Sequence, residues 1–412
     1  MQRGSAMPDF FKVVTPEQVF DFLSGFSRMP AESVVLEQAL GRVLAEDAVC
    51  AEDMPPAARS TMDGFAVRAA DTFGASDAVP ALLAVRGRVL MGETPDFEVA
   101  KGCAADISTG GFLPRGADAV VMVEYTARIS DDEIEVTRPV TAGENVLLRA
   151  GDVAAGETVL RRGQRLRPQD IGMLAALGAA RITAHKRPVA AVISTGDEIV
   201  PVTETPAPGK IRDTNTYGVS ALIEAAGAVP QPYGIVKDEA SLLRDTLAAA
   251  LDTADLVVIS GGSSVGERDH MLGVVSSFGD SEIFAHGVAI SPGKPALFAR
   301  IGNKPVVGLP GHPVSALIVA QVFLSPFLKF LEGEPLSRRP AGQCVRATLA
   351  TPVHSPHGRE DFVRVKLEGR SAVPVFGKSG MLSTLVKADG FFVIPMHSEG
   401  VPDGETVEVF LF

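Results

Sequence analysis

Cysteine is scarce in this chain. Cys50, Cys103 and Cys344 lie far apart and form no CxxC pair, which argues against a disulfide framework and against a zinc ribbon. The histidines, His270, His286, His312, His354 and His357 among them, fall into no HExxH-like spacing, so metal ligation by histidine is the minority reading. No run approaches the roughly 18 apolar residues of a membrane span, and MQRGSAMPDFFKVV lacks the long apolar core of a secretory signal. A cytoplasmic protein without membrane contact is expected. Positive charge is also short: 38 Lys and Arg against 50 Asp and Glu leave a formal charge of −12. A general affinity for nucleic acid or an anionic membrane is therefore not expected, and any anionic ligand must be met by local groups.

What is present is a soluble globular composition, 46% hydrophobic and 21% charged over 412 residues, enough for about two to four domains. Thr15-Pro16-Glu17-Gln18 combines an N-cap, a proline at the first helical position and a glutamine three residues on, so a helix should start there. LEQALGRVLAED, with Leu36, Leu40, Val43 and Leu44 on one face, predicts a second helix. From Met54 the texture changes to short alternating runs, LLAVRGRVL, AVVMVEYTARI and EIEV, broken by Gly, Pro and Asp, which indicate a small β-rich domain. Within it Asp63-Gly64 reads locally as a turn, and Ser108 to Gly111 form a small-residue loop. Thr109 could touch a ligand there, but a structural turn is at least as well supported. A helix is expected from about 168 to 177, in a stretch whose character returns to that of the first fifty residues.

Residues 188 to about 333 alternate strand and helix, which implies a parallel sheet with helices on both faces. Their centre is DLVVISGGSSVGERDH, a β-branched run breaking into Gly261, Gly262, Ser263, Ser264 and Gly266. Such a loop offers backbone N–H groups and hydroxyls to an anion. Acids follow three strands, Glu198, Asp238 and Asp269, and together suggest a divalent cation. Lys294 in SPGKP is a point charge suited to an oxyanion or phosphate. Glycines, acids and a lysine at successive strand ends suggest a phosphate-bearing ligand held with Mg²⁺ in the crevice where open parallel sheets bind ligands. From about Pro335 the runs QCVRATLA, DFVRVKL, AVPVF, FFVIPM and TVEVFLF predict a small barrel or sandwich of five or six strands. Its Arg359 and Arg364 could face solvent, pair with acids or reach the crevice.

The fold expected is thus multidomain α/β plus β: a mixed domain of residues 1–53 and 150–187, a β-rich insertion 54–149, a central parallel α/β domain 188–333 and a C-terminal barrel-like β domain 334–412. In order along the chain, RSTMDGFAVRAADT, GGFLPRGADAVVMVE, RAGDVAAGE, STGDEIV, APGKIRDTNTYGVSALIEAAG, IVKDE, ISGGSSVGERDH, SPGKP and GLPGHPVSA resemble the signature segments of the molybdopterin molybdenumtransferases, the family that includes the E domain of gephyrin. The resemblance spans about residue 15 to the C-terminus. It implies a molybdopterin-binding central domain, insertion of molybdate into adenylylated molybdopterin with release of AMP, Mg²⁺ as cofactor, a homodimer, and transient contact with the upstream adenylyltransferase. By motif it implies catalytic roles for Asp63, Glu198, Asp238, Asp269 and Lys294, with the metal at Asp269, Asp238 and Glu198. It implies substrate contacts at Thr109, Asp152, Gly261, Gly262, Ser263, Ser264, Gly266, Pro295, Pro310, Gly311 and Ser315. For Asp63 and Thr109 the role rests on the resemblance alone. Two departures stand out: Ser291 where relatives often have the lysine of KPGKP, and His312 where they often have the asparagine of GLPGNP. Molybdate against tungstate preference is left open by them. The competing readings are an adenylyltransferase or nucleotide pyrophosphatase on the same central domain, and a non-catalytic scaffold.

Overall fold

The computed structural model describes residues 13–261, 270–340 and 342–412. The chain divides into two compact units, one of residues 46–162 with 172–180, the other of residues up to 45, 163–171 and 181–412.

In the larger unit, the first helix runs Pro16–Ser24 and carries the full capping box: Gln18 N–H donates to Thr15 Oγ1 at 3.3 Å and Thr15 N–H to Gln18 Oε1 at 2.9 Å. The second expected helix is not formed. Leu36–Gln38 makes one 3₁₀ turn, and Gly41 then adopts a φ of 73°, a left-handed conformation that stops a helix. The following backbone groups bond across the chain, Gly41 N–H to Leu166 O and Leu44 N–H to Gln164 O. Leu40 is left exposed, whereas Val43 and Leu44 are buried. Long-range pairing has overridden a helical pattern. The same unit closes on itself through the antiparallel pairing of Ala31–Val35 with Arg181–His185.

The central sheet has six strands, in the order Val229–Val236, Val189–Thr195, Leu256–Ser260, Lys304–Leu309, Leu297–Ile301, Ser281–His286. The first four are parallel, as the alternation of strand and helix requires. The expectation of a wholly parallel sheet is corrected at the other edge, where Leu297–Ile301 pairs antiparallel with both neighbours. The two-residue link Gly302-Asn303 makes that hairpin, a turn type that parallel strands cannot use. Every residue of Leu256–Ser260 is buried. Leu256 and Val258 point into one core cluster, Val257 and Ile259 into the other, which is why this strand reads as an unbroken apolar run.

A 19-residue helix, Pro313–Leu331, has the length and hydropathy to cross a membrane, contrary to the expectation that no run approaches a span. Its apolar surface is used inside the protein: 78% of that window is buried, with Phe323 and Phe327 fully enclosed. The C-terminal strands Cys344–Leu349, Glu360–Glu368, Ser371–Pro374, Gly390–Ile394 and Thr406–Leu411 close into a five-stranded barrel, since Glu360–Glu368 pairs with both Ser371–Pro374 and Gly390–Ile394. Phe362, Phe391 and Phe410 of the barrel join the same core cluster as the long helix. The smaller unit holds a six-stranded sheet, including Gly64–Val67 and Cys103–Ile107 as antiparallel neighbours.

Arg165 pins distant segments of the larger unit. Its guanidinium donates to Glu332 at 2.7 Å, to Glu334 at 2.6 Å and to the Gly41 carbonyl at 2.7 Å. Arg165 is itself penalised by burial, but the two carboxylates outweigh that and hold it above its ordinary range. Glu332 is fully buried, and burial pushes its carboxyl up despite Arg165. Removing one partner of a buried pair leaves the other uncompensated, so Arg165→Ala should cost about 3–5 kcal/mol at neutral pH by urea unfolding. The folded state holds the Glu332 proton more tightly than the unfolded state. Its contribution is therefore present at low pH and lost as pH rises through the raised value. Glu332→Gln should flatten that falling limb; an unchanged pH profile would refute the assignment.

Candidate functional site

A cavity of about 1300 Å³ opens in the larger unit, where the α/β domain meets the barrel. Its floor is built from the carboxyl ends of three adjacent parallel strands: Ser194 and Thr195, Ser260 and Gly261, and the Pro310-Gly311-His312 link. Gly261 is required there, because a Cβ at its φ of 105° would lie 2.0 Å from the Thr195 carbonyl oxygen. The opposite wall comes from the barrel, through residues that include Arg359, Asp361, Arg364, Phe376 and Ser379. The SPGKP segment joins the two walls. Its Ile290–Ser291 pairs in parallel with Glu360–Asp361 of the barrel.

Of the residues singled out by sequence, Glu198, Gly261, Lys294, Pro295, Pro310, Gly311 and Ser315 all line this cavity. Asp238 follows the neighbouring edge strand, where its N–H donates to Asp197 Oδ1 at 3.2 Å, and it is not among the lining residues. Gly262, Ser263, Ser264, Gly266 and Asp269 lie outside the described residues. Asp63, Thr109 and Asp152 belong to the smaller unit. There Asp63 Oδ1 accepts from the Thr109 N–H at 2.7 Å and from its hydroxyl at 3.1 Å, so these two exposed residues form one polar pair. Asp152 N–H donates to the Met54 carbonyl at 3.0 Å.

Two groups of lining residues stand out, the first missed by the sequence reading and the second foreseen only in part, at Lys294, Arg359 and Arg364. The first is a buried polar network behind the floor. Asn215 begins the Asn215–Ala225 helix, is 7% exposed, and donates from Nδ2 to Ser260 Oγ at 2.6 Å and to the Gly311 carbonyl at 2.9 Å. It thereby ties two strand ends together. Asp213 accepts from the Thr216 N–H at 3.0 Å and from Ser194 Oγ at 3.4 Å. The cluster of small polar residues in RDTNTYG was the available signal.

The second group is cationic. Lys210, Arg212, Lys294, Arg359 and Arg364 line the cavity against Glu198, Asp213 and Asp361, a local positive excess in a chain of −12. These cations are not equivalent. Arg359 lies 3.0 Å from Asp361, which also accepts from Ser355 Oγ at 2.7 Å. Lys210 and Arg212 donate to the carbonyls of Asp197 and Glu204. Arg364 is 8% exposed, donates from Nη2 to the Gly377 carbonyl at 3.0 Å, and has no carboxylate within 4 Å among the described residues. Its Nε is buried without a hydrogen-bond partner, and burial pulls the guanidinium below its ordinary range. A buried cation in that state is stabilised by an anion in the cavity. The three options left open by sequence are thus decided differently: Arg359 pairs with an acid, whereas Arg364 reaches the crevice.

Replacing Asn215 by Asp keeps the shape but removes both donors and sets a carboxylate against the Gly311 carbonyl. The expected loss is about 1–3 kcal/mol in urea unfolding. A variant as stable as the parent would show that the network does not hold the floor.

The chain matches family models over most of its length: the MoeA N-terminal region (domain I and II) at residues 14–178, a molybdopterin binding domain at 191–329 and the MoeA C-terminal region (domain IV) at 346–412. It is 36% identical to a molybdopterin biosynthesis protein of Methanocaldococcus jannaschii, over 95% of this chain and 96% of that one. It is 33% identical to a molybdopterin molybdenumtransferase of Staphylococcus aureus, over 93% and 92%. The crystal structure of the molybdopterin biosynthesis MoeA protein of Pyrococcus horikoshii superposes with a TM-score of 0.82 at 38% identity, covering 97% of this chain and 99% of that chain.

Proposed function

The chain belongs to the molybdopterin molybdenumtransferase family, and from that premise we propose that it inserts molybdate at the dithiolene of adenylylated molybdopterin, releasing AMP and giving molybdenum cofactor. The observation that carries this reading is Arg364, a buried guanidinium without a carboxylate partner among the described residues, opening on the same cavity as Lys294. Molybdate is a tetrahedral dianion that offers only acceptors. Arg364 and Lys294 supply charge to it, and the hydroxyls of Ser315 and Ser379 supply neutral donors from the two walls. Asn215 acts through Ser260 and Gly311, holding the floor against which the rest of the substrate is oriented.

Mg²⁺, when bound, neutralises the charge of the phosphoanhydride that is cleaved. Among the described residues no three His, Cys, Asp or Glu are grouped to hold a metal. Magnesium does not need such a cage, because one or two carboxylates and substrate phosphates suffice. Glu198 and Asp238 follow adjacent parallel strands and provide hard oxygen donors of that kind; sequence adds Asp269. The roles of Asp63, Thr109 and Asp152 rest on the resemblance. The same reading makes the protein cytoplasmic and a homodimer of about 86 kDa, twice 43.1 kDa, that receives its substrate by transient contact with the adenylyltransferase upstream. The relatives match across the flanking domains as well as the central one, so an adenylyltransferase built on the central domain alone is not supported.

The test is to incubate purified protein with adenylylated molybdopterin, Mg²⁺ and molybdate or tungstate, and to follow AMP release and reconstitution of an apo-molybdoenzyme. Absence of both would overturn the reading. A charge-assisted hydrogen bond contributes about 1.5–3 kcal/mol, so Lys294→Ala should weaken molybdate use roughly ten- to a hundredfold. Ser291 provides no second lysine beside it, which places the loss near the upper end. Arg364→Ala should behave alike, and an unchanged molybdate dependence in both would remove the oxyanion from this cavity. In a magnesium titration of AMP release, Asp238→Asn and Glu198→Gln should need more metal while melting normally.

A further inference from the structure

The barrel segment carrying Ser379 is fastened to the start of the Pro313–Leu331 helix by two hydrogen bonds. The Val314 N–H donates to the Ser379 carbonyl at 3.1 Å, and Ser379 Oγ lies 2.9 Å from His312 Nδ1. Both side chains line the cavity. The His312 ring also lies against the next residue, with Cδ2 3.9 Å from the position a Cβ would take on Gly380. His312 makes no side-chain cap to its own helix, so the serine contact is not a by-product of capping.

A seryl hydroxyl has one proton. If Nδ1 is bare, Ser379 donates that proton to the ring and can only accept from the cavity. If Nδ1 carries hydrogen, the ring donates to Oγ, and the seryl proton is free to point into the cavity. A fully deprotonated tetrahedral oxyanion presents acceptors only and therefore selects the second arrangement. Hydrogen phosphate carries an O–H and is satisfied equally well by an accepting serine. We propose that His312 is a positioning and specificity residue: by donating Nδ1–H to Ser379 it fixes the seryl hydroxyl as a donor, favouring molybdate-like oxyanions over hydrogen phosphate. The inference rests on the reading of this cavity as an oxyanion site.

Binding of sodium molybdate to the whole protein is measured by titration calorimetry, with inorganic phosphate as competitor, and KM and kcat for molybdate are measured from AMP release. His312→Ala frees the seryl hydroxyl to donate or to accept, so it should weaken molybdate only about two- to threefold, the low end of one neutral hydrogen bond, by raising KM with kcat nearly unchanged. Phosphate should compete better than in the parent. His312→Asn, whose Nδ2–H donates from a similar place, should restore both. In a Ser379→Ala background, His312→Ala should have no further effect, because the residue acts through the serine. If His312→Ala does not fold, His312→Phe keeps the ring volume without Nδ1 and serves in the same cycle. Unchanged molybdate affinity in these variants, or an undiminished effect in the Ser379→Ala background, overturns the inference. The two levels are separable: no molybdate binding by the parent removes the oxyanion site itself, whereas binding lost in Arg364→Ala but untouched in His312→Ala removes only the role of His312.

Discussion

The site depends on a two-residue splice. Ile290–Ser291 leaves the α/β domain and pairs in parallel with Glu360–Asp361 of the barrel, reinforced by the Glu360 N–H donating to the Ala289 carbonyl at 2.9 Å. Three residues beyond Ser291 stands Lys294; three residues beyond Asp361 stands Arg364. The pairing therefore fixes the register between the two segments that carry the charges of the cavity. A slip by one residue would turn the barrel strand's side chains to the opposite face, sending Arg364 into the barrel interior and out of the cavity. The hydrophobic contacts of Phe362, Phe391 and Phe410 with the long helix oppose such a slip.

Two arginines, one half-buried and one buried, show how differently this protein treats charge. Arg165 is satisfied from three directions and serves stability. Arg364 is given one carbonyl and left otherwise open toward the cavity. Desolvating a guanidinium without a counter-charge is unfavourable, and a fold selected for stability alone would pair it or replace it. The adjacent Arg359 and Asp361 show that an acid was sterically possible on this strand. The acid sits with Arg359, and Arg364 faces the cavity with no carboxylate partner among the described residues.

The βα alternation of residues 188–333 was legible because strands buried on both faces are continuously apolar and end in small polar residues. The barrel was legible from alternation in its strands, such as Thr406–Leu411. The helix written into LEQALGRVLAED was not, since Gly41 and backbone pairing with 163–166 are tertiary facts. Strand ends pointed to Glu198, Gly261 and Lys294, whereas Pro310 and Ser315 came only from the family resemblance; all five line the cavity. Arg364 could not be placed. It shares a side of its strand with Phe362, the outer face of the barrel, while Val365 packs inside. An outer face normally meets solvent, and an arginine there is unremarkable in sequence. Only the docking of that face against the α/β domain buries it.

The hydrogen bond from Val314 to the barrel also relieves position 312 of a demand that most helix starts carry. A residue that begins a helix is usually held to Ser, Thr, Asp or Asn by the need to satisfy the first N–H groups. Here Pro313 has no N–H to satisfy, and the Val314 N–H is taken by the Ser379 carbonyl. The first N–H group that a side-chain cap could serve is therefore taken by the barrel backbone, and the His312 ring is turned to Ser379 instead. The hydrogen bond that closes the helix also brings the serine within reach of the imidazole, so fold closure and control of a cavity donor are properties of the same contact.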